Sequence, residues 1–272
     1  MSKLMINIKR SLAIISDTHI GSRCALFPEK YITKEGNIVR QNEGQLEIAK
    51  YWKYFFTNVC NRLHVDTIIH LGDALHGLNK KEAGEGLILP TLQDQVDCFV
   101  QLMQPYLKGR KFLIVSGSGY HESLDFKIHK TIAERLGGLF CGYIADIKLK
   151  NTNRTINIAH SSGYPQVYVS TVLDKEGFFL KTAEAAGKIG KIDILIRGHI
   201  HIFEHIHLAT QHLVSTPCWT TFSGNALTTK LYGRKQPDIG GIIIMIDNYN
   251  RITIHHYLMD RIPRIDNALI DV

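Results

Sequence analysis

Asp17 and His19 stand two apart in Ile14-Ile15-Ser16-Asp17-Thr18-His19-Ile20-Gly21, directly after the apolar run Leu12–Ile15. In extended backbone, residues two apart project to the same side. A carboxylate beside an imidazole at a strand end is a chelating pair for a divalent cation. The same residue types recur where other strand-like runs stop. Asp73 follows Val65–Leu71 and Gly72, and His121 and Glu122 close Ser116-Gly117-Ser118-Gly119-Tyr120-His121-Glu122 after Lys111–Val115. His160 follows Arg154–Ala159, and Arg197-Gly198-His199-Ile200-His201 follows Ile192–Ile196. Side chains at the carboxyl ends of strands in one layered sheet converge on one edge, where α/β proteins place their sites. Five such endings in Asp and His are more than satisfied core polar residues explain. Carboxylates with imidazoles suit Mn, Fe or Zn.

The elements that must position these residues are readable from periodicity. After the first strand, residues 22–42 form a polar insertion, with a small hairpin of Lys30–Thr33 and Asn37–Arg40 around Glu35-Gly36. Asn42 opens a helix, with Gln45 three residues on as its capping-box partner. Leu46, Ala49, Trp52, Phe56, Val59 and Leu63 fall at helical spacing and predict its inward face. Pro90–Leu107 reads as a second helix with Leu92, Val96, Phe99, Val100 and Met103 inward, and Ser123–Leu136 as a third, stopped by Gly137-Gly138. Ile144–Lys150 and Arg154–Ala159 form a hairpin, and Gln166–Gly187 is a helical region. Beyond His201 the chain is strand-rich over 202–272, with Phe203–Leu208, Leu213–Ser215 and a hairpin of Gly241–Asp247 and Arg251–Leu258. Strand–helix alternation followed by strands, with no Pro/Gly/Ser linker, predicts one α/β domain over 1–272.

The bulk numbers narrow the classes. At 272 residues, 44% hydrophobic and 21% charged, this is ordinary globular composition. A net charge of +7 favours an anionic partner. Fourteen His is high for this length and invites a metal. The five Cys are scattered and form no C-x-x-C, which predicts reduced thiols in a cytoplasmic protein rather than a disulfide framework or zinc finger. Met1–Arg10 lacks the apolar core of a signal peptide. No apolar run approaches the ~18 residues of a membrane span.

The ordered set Asp-x-His, Gly-Asp, Gly-x-His-(Asp/Glu), His, Gly-His-x-His over Ile14 to His201 resembles the calcineurin-like metallophosphoesterase superfamily. The Asp17 and Asp73 blocks, with His76 three residues after Asp73, resemble the double-strand-break repair exonuclease branch, and Thr216-Pro217-Cys218-Trp219 resembles a segment of phage and prokaryotic members. The resemblance implies a four-layer αββα sandwich of two mixed β-sheets flanked by helices, holding two divalent ions. Mn is the first expectation, with Fe, Zn or Mg as alternatives. Carried over by position, Asp17, His19 and His201 bind the first ion, Asp73 bridges, and His160 and His199 bind the second. His121 matches the family's non-ligand His, which contacts the phosphate and protonates the leaving oxygen.

One block departs from the pattern. The family's third motif is Gly-Asn-His-Asp, whose Asn binds the second ion. Alignment on the His puts Tyr120 there, alignment on the strand end puts Ser118 there, and Glu122 is a further candidate donor. His76 either faces the phosphate or is structural, and Trp219 either lines the cleft or packs. His70 reads as a satisfied core histidine, and His205, His207, His255 and His256 as strand-surface residues.

The resemblance does not fix the substrate. Net charge and the cations of Lys230-Leu231-Tyr232-Gly233-Arg234-Lys235 favour a nucleic-acid phosphodiester. A phosphatase acting on nucleotides or small phosphomonoesters is the alternative, and a silent nucleic-acid-binding subunit is a third reading. With no added DNA-capping domain after His201, long duplex DNA calls for a partner subunit or a homo-oligomer.

Overall fold

Side chains alternate along β1, Ile8–Ile15, and that alternation sets the layers. Leu12 and Ile14 enter an apolar cluster with Ile69, Ile158, Ile196, Val214 and Ile244. Ala13 and Ile15 enter another, with Trp52, Phe55, Phe99 and Ile114. A strand buried on both faces requires this period of two. The computed structural model describes residues 8–78, 84–121, 127–161, 163, 168–221 and 236–260.

After β1 come the hairpin of β2 (Lys30–Ile32) and β3 (Ile38–Arg40), α1 (Glu43–Tyr54) and β4 (Thr67–His70). Then follow α2 (Leu92–Met103), β5 (Lys111–Ile114), α3 (Lys127–Arg135) and a short β6 (Leu139–Phe140). The second half holds β7 (Ile144–Lys148), β8 (Thr155–Ala159), α4 (Val169–Ala185), β9 (Ile194–Arg197) and β10 (Glu204–Leu208). It ends in β11 (Gln211–Ser215), β12 (Gly240–Asp247) and β13 (Ile252–Leu258).

One sheet has the order β13-β12-β1-β4-β5-β6, and the other β10-β11-β9-β8-β7. Both are mixed. β1, β4, β5 and β6 run parallel, with β12 and β13 added antiparallel. β8, β9 and β11 run parallel, with β7 and β10 as antiparallel edges. The inner faces meet through the Leu12–Ile14 cluster. Ile48, Trp52, Val96, Phe99 and Ile132 cover the outer face of the first sheet, and Leu173 of α4 covers Leu195 and Leu213 on the second. The result is the expected αββα stack.

The capping box at Asn42 forms as predicted, with Gln45 N–H donating to the Asn42 side chain and the Gln45 side chain accepting from Asn42 N–H. The inward face of α1 differs from the expected one. Leu46 is 37% exposed, and the buried line runs Gln45, Ile48, Trp52, Phe55, Phe56, Val59 and Cys60. The Gln45 amide is drawn inward because it donates to the Ser22 and Ala25 carbonyls, 3.0 and 2.9 Å away. A wide π-helical turn at Phe55–Cys60 then shifts the register, so that Phe55 joins Phe56 inside. Leu92, expected inward, is half-buried at the first turn of α2.

Candidate metal centre

Each candidate residue sits just past a strand end. Asp17 and His19 follow β1, Asp73 follows β4, Ser118 follows β5, His160 follows β8, and His199 and His201 follow β9. Backbone bonds lace the first two loops together: Asp17 N–H donates to Gly72 O and His19 N–H to Asp73 O, both at 3.1 Å. His70 straps them a second time. Gly72 N–H donates to its Nδ1 at 3.2 Å, and its Nε2 lies 3.1 Å from Thr18 Oγ1. Thr18 spends its single hydroxyl proton on Ala74 O, so His70 must be the neutral Nε2–H tautomer, donating to Thr18. The satisfied core histidine read from sequence is therefore also a brace for the site. Gly72, at φ +89°, lets the β4 and β5 loops touch, since a Cβ there would lie 2.6 Å from Gly117 Cα.

The six candidate ligands form two donor clusters. In the first, His201 Nε2 is 3.2 Å from Asp17 Oδ1, His19 Nε2 is 3.4 Å from His201 Nε2, and His19 Nε2 is 3.7 Å from Asp17 Oδ1. Donors about 2.0–2.1 Å from a tetrahedral ion stand ~3.3 Å apart, which these edges match. Asp17 is oriented for this: Ser16 Oγ–H and His199 N–H both bind its Oδ2, leaving Oδ1 toward the imidazoles. In the second cluster, His160 Nε2 is 3.0 Å from Asp73 Oδ2 and 3.2 Å from His199 Nδ1. His160 Nδ1 sits 2.7 Å from Leu71 O, so its N–H donates to the backbone and Nε2 faces the cluster. That backbone partner is what a ligating histidine ordinarily has. The clusters adjoin, with His160 Nε2 3.9 Å from Asp17 Oδ1.

The backbone is strained at the same residues. Eight non-glycine residues among those described have positive φ, and five of them are Asp17 (53°), His19 (41°), Asp73 (49°), His199 (73°) and His201 (64°). The left-handed region costs an L-residue about 1–2 kcal/mol. Five of the six candidate ligands carry this strain, and such strain clusters at ligand-binding sites.

The electrostatics are those of a cation site filled by protons. Burial opposes charge on Asp17 and Asp73, yet the fields of His201 and His160 hold Asp17 well below the usual carboxylate range, and His160 does the same for Asp73. Burial also opposes charge on His160, but Asp73 and Asp17 push it up to about 9. His201 is raised well above its ordinary value against its burial, by Cys218 and Asp17. Burial, aided by His121, lowers His19 to about 4, and burial with His160 lowers His199. Both carboxylates are thus held toward their ionised form, while His160 and His201 are drawn toward protonation and His19 and His199 away from it. The donor types, spacings and orienting bonds fit a pair of divalent ions.

A third group lies beside the first. His19, His76 and His121 bring ring nitrogens within 4.8 Å of one another. The His121 ring centroid is 4.4 Å from that of His19 and 5.1 Å from that of His76. His121 Nδ1 lies 2.9 Å from His76 O, which makes it the donor and leaves Nε2 for exchange with a ligand. Burial, with His19 and His121, lowers His76 to about 3 and keeps it neutral.

Of the third-motif candidates, Ser118 lies against Asp73. Its N–H donates to Asp73 Oδ1 at 2.6 Å and its hydroxyl to Oδ2 at 3.0 Å. Tyr120 is 61% exposed. Trp219 does not line a cleft: it is fully buried, its indole sits edge-on to Trp52 at 4.7 Å, and its backbone N–H donates to Asp17 O. Glu122, Lys230, Arg234 and Lys235 lie outside the described residues. Sequence reasoning missed Ser16, although its place next to Asp17 was the available signal.

No family model matches the chain, and no curated protein sequence matches it. Among solved structures, Vps29 of Entamoeba histolytica complexed with Zn2+ is similar at TM-score 0.47 and 15% identity, covering 91% of this chain and 92% of that one. Vacuolar protein sorting 29 of Cryptosporidium parvum aligns at TM-score 0.48 and 11% identity, over 94% and 100%. A structure described as a novel archaeal phosphodiesterase aligns at 0.44 and 13%, over 91% and 99%.

Proposed function

We propose that this chain is a metallophosphoesterase of the calcineurin-like class, and that it hydrolyses phosphodiester bonds in nucleic acid. The observation that carries the reading is the pair of adjoining donor clusters, Asp17/His19/His201 and Asp73/His160/His199, built on strained backbone at one sheet edge. Two divalent ions held there supply Lewis-acid activation of a phosphate ester and of water. The chain's own contribution is orientation and proton handling. Ser16 and the His199 amide fix Asp17, while Leu71 O fixes His160. His121, anchored through Nδ1 to His76 O, presents Nε2 beside the first cluster and is the proton donor to a leaving oxygen. His76, neutral and packed against His19 and His121, offers a hydrogen bond to a phosphate oxygen. The net charge of +7 supports a polyanionic substrate.

Ser118 favours one other reading. A hydroxyl stands where the resemblance places a carboxamide ligand, so a weak second site would leave a silent nucleic-acid binder. Hydrolysis of an end-labelled single-stranded oligonucleotide with Mn, beside nitrophenyl diester and monoester, decides between them. Cleavage of oligonucleotide and diester, lost in Asp73→Asn, is the expected result. Cleavage of the monoester alone makes the chain a phosphatase. Oligonucleotide binding without turnover with any metal makes it a silent binder.

A further inference from the structure

His19, His76 and His121 make a donor group of imidazoles alone, and the fold pins all three. One ring nitrogen of each lies within 4.8 Å of the others. The rings are inclined rather than stacked, His19 by 72° to each partner and His76 by 40° to His121. His76 N–H donates at 2.9 Å to Ile20 O, one residue past His19, and Ile20 pairs with Leu75. The buried Gln95 amide clamps the next residue, accepting from Gly77 N–H at 2.8 Å and donating to Gly77 O at 3.0 Å. Gly77, at φ +69°, lets this loop lie against the His121 backbone, since a Cβ there would stand 1.7 Å from His121 O. His121 Nδ1–H in turn donates to His76 O, the kind of backbone partner that a ligating histidine ordinarily has.

We propose that His19, His76 and His121 form a third metal position, selective for imidazole-preferring ions such as Zn2+, and that filling it switches the candidate centre off. The switching rests on the phosphoesterase reading, and the binding does not. Three imidazoles with an open fourth position are a donor set that zinc uses. Imidazole suits Zn, Ni and Cu, whereas Mg, Ca and Mn suit oxygen donors. Each of the other two clusters includes a carboxylate, and this group has none. An ion here brings its charge to neutral donors, so it binds more weakly than in either carboxylate cluster and fills after them.

The same three rings are the ones the reaction needs. His19 belongs to both this group and the first cluster, and a neutral imidazole offers one lone pair, so the added ion competes with the first ion for that ring. Occupation of His121 Nε2 removes the proton donor to the leaving oxygen, because a ligating nitrogen carries no proton. His76, once it ligates, no longer serves a phosphate oxygen. Loading asks for one movement. Donors about 2.0–2.1 Å from a tetrahedral ion stand ~3.3 Å apart, so the widest separation closes from at most 4.8 Å, by about 1.5 Å or less. His121, half-buried where His19 and His76 are buried, has the room to move.

The test counts ions on the full chain by equilibrium dialysis, with Zn2+ as the probe and Mn2+ beside it. The wild type is expected to bind two Zn2+ and then a third at least about 10-fold more weakly, but only two Mn2+. His76→Gln and, independently, the less buried His121→Gln are expected to lose the third Zn2+. Diester hydrolysis by the wild type is expected to fall about 100-fold or more between two equivalents and excess Zn2+. His76→Gln is expected to keep, over the same range, whatever rate it has at two equivalents. The ion count is read without turnover, so a chain that cleaves nothing yet binds a third Zn2+ through His76 and His121 supports the site while the phosphoesterase reading fails. A third ion that leaves the wild-type rate unchanged overturns the switch. Equal Zn2+ counts and affinities in the wild type and in variants that melt like it overturn the site.

Discussion

Gly198→Ala is a sharp test of how Asp17 is held. Gly198 needs no left-handed backbone, and what it provides is room. A Cβ there would lie 2.3 Å from Ser16 Oγ, 3.1 Å from Asp17 Oδ2 and 3.3 Å from His160 Nδ1. Ser16 is fully buried, so its hydroxyl has no open space to retreat into. Overpacking of this kind costs about 1–3 kcal/mol. Displacing Ser16 also removes its bond to the Asp17 carboxylate, and hydrogen bonds to charged groups are worth about 1.5–3 kcal/mol. At roughly 2–4 °C per kcal/mol for a chain of this size, the metal-free variant should melt at least about 5 °C lower. Asp17, freed from one of its two orienting bonds, should bind the first ion about 10–100-fold more weakly. Thermal unfolding and calorimetric titration with Mn2+ measure both effects. Gly190→Ala, where an added Cβ meets nothing within 4 Å, is the control and should behave as wild type. A Gly198→Ala chain that melts within about 1 °C of wild type and binds Mn2+ equally well would refute this account of Asp17.

Three further outcomes follow from the same geometry. His70→Phe leaves the Gly72 N–H without its acceptor and removes the donor to Thr18, so it should cost about 1–3 kcal/mol per stranded group in urea unfolding and weaken both ions together. Ion loading must displace the proton on His160, whose raised value of about 9 means that metal affinity should fall about tenfold per pH unit per proton below pH 9. Titrations in buffers of different ionisation enthalpy count those protons. In the metal-free chain, the stability that His160 contributes should be fully present below about pH 6.5 and lost as pH rises through about 9. Ser118→Asn should tighten the Asp73/His160/His199 ion by at least about tenfold, read by competition with a chromogenic chelator.

The αββα order and the six clustered residues were legible because each follows a strand whose apolar run is unmistakable, as in Leu12–Ile15 before Asp17. The capping box at Asn42 was legible because it is local. The inward face of α1 was not. The π-turn at Phe55–Cys60 and the pull of Gln45 toward Ser22 and Ala25 are tertiary effects that periodicity does not carry. β6 escaped notice because two residues carry no pattern, and it exists through pairing with β5. The choice between Ser118 and Tyr120 stayed open in the sequence because Gly117 and Gly119 permit either spacing, whereas the contact of Ser118 with Asp73 is set by the meeting of the β4 and β5 loops. Nothing local says that Trp219 passes beneath Asp17.

The central claim is that two ions are held at one sheet edge. Anomalous diffraction from crystals of the chain loaded with Mn2+ tests it most directly. The account predicts one peak among Asp17, His19 and His201 and another among Asp73, His160 and His199. Peaks absent from both clusters, in crystals whose Mn2+ is bound elsewhere, would contradict it.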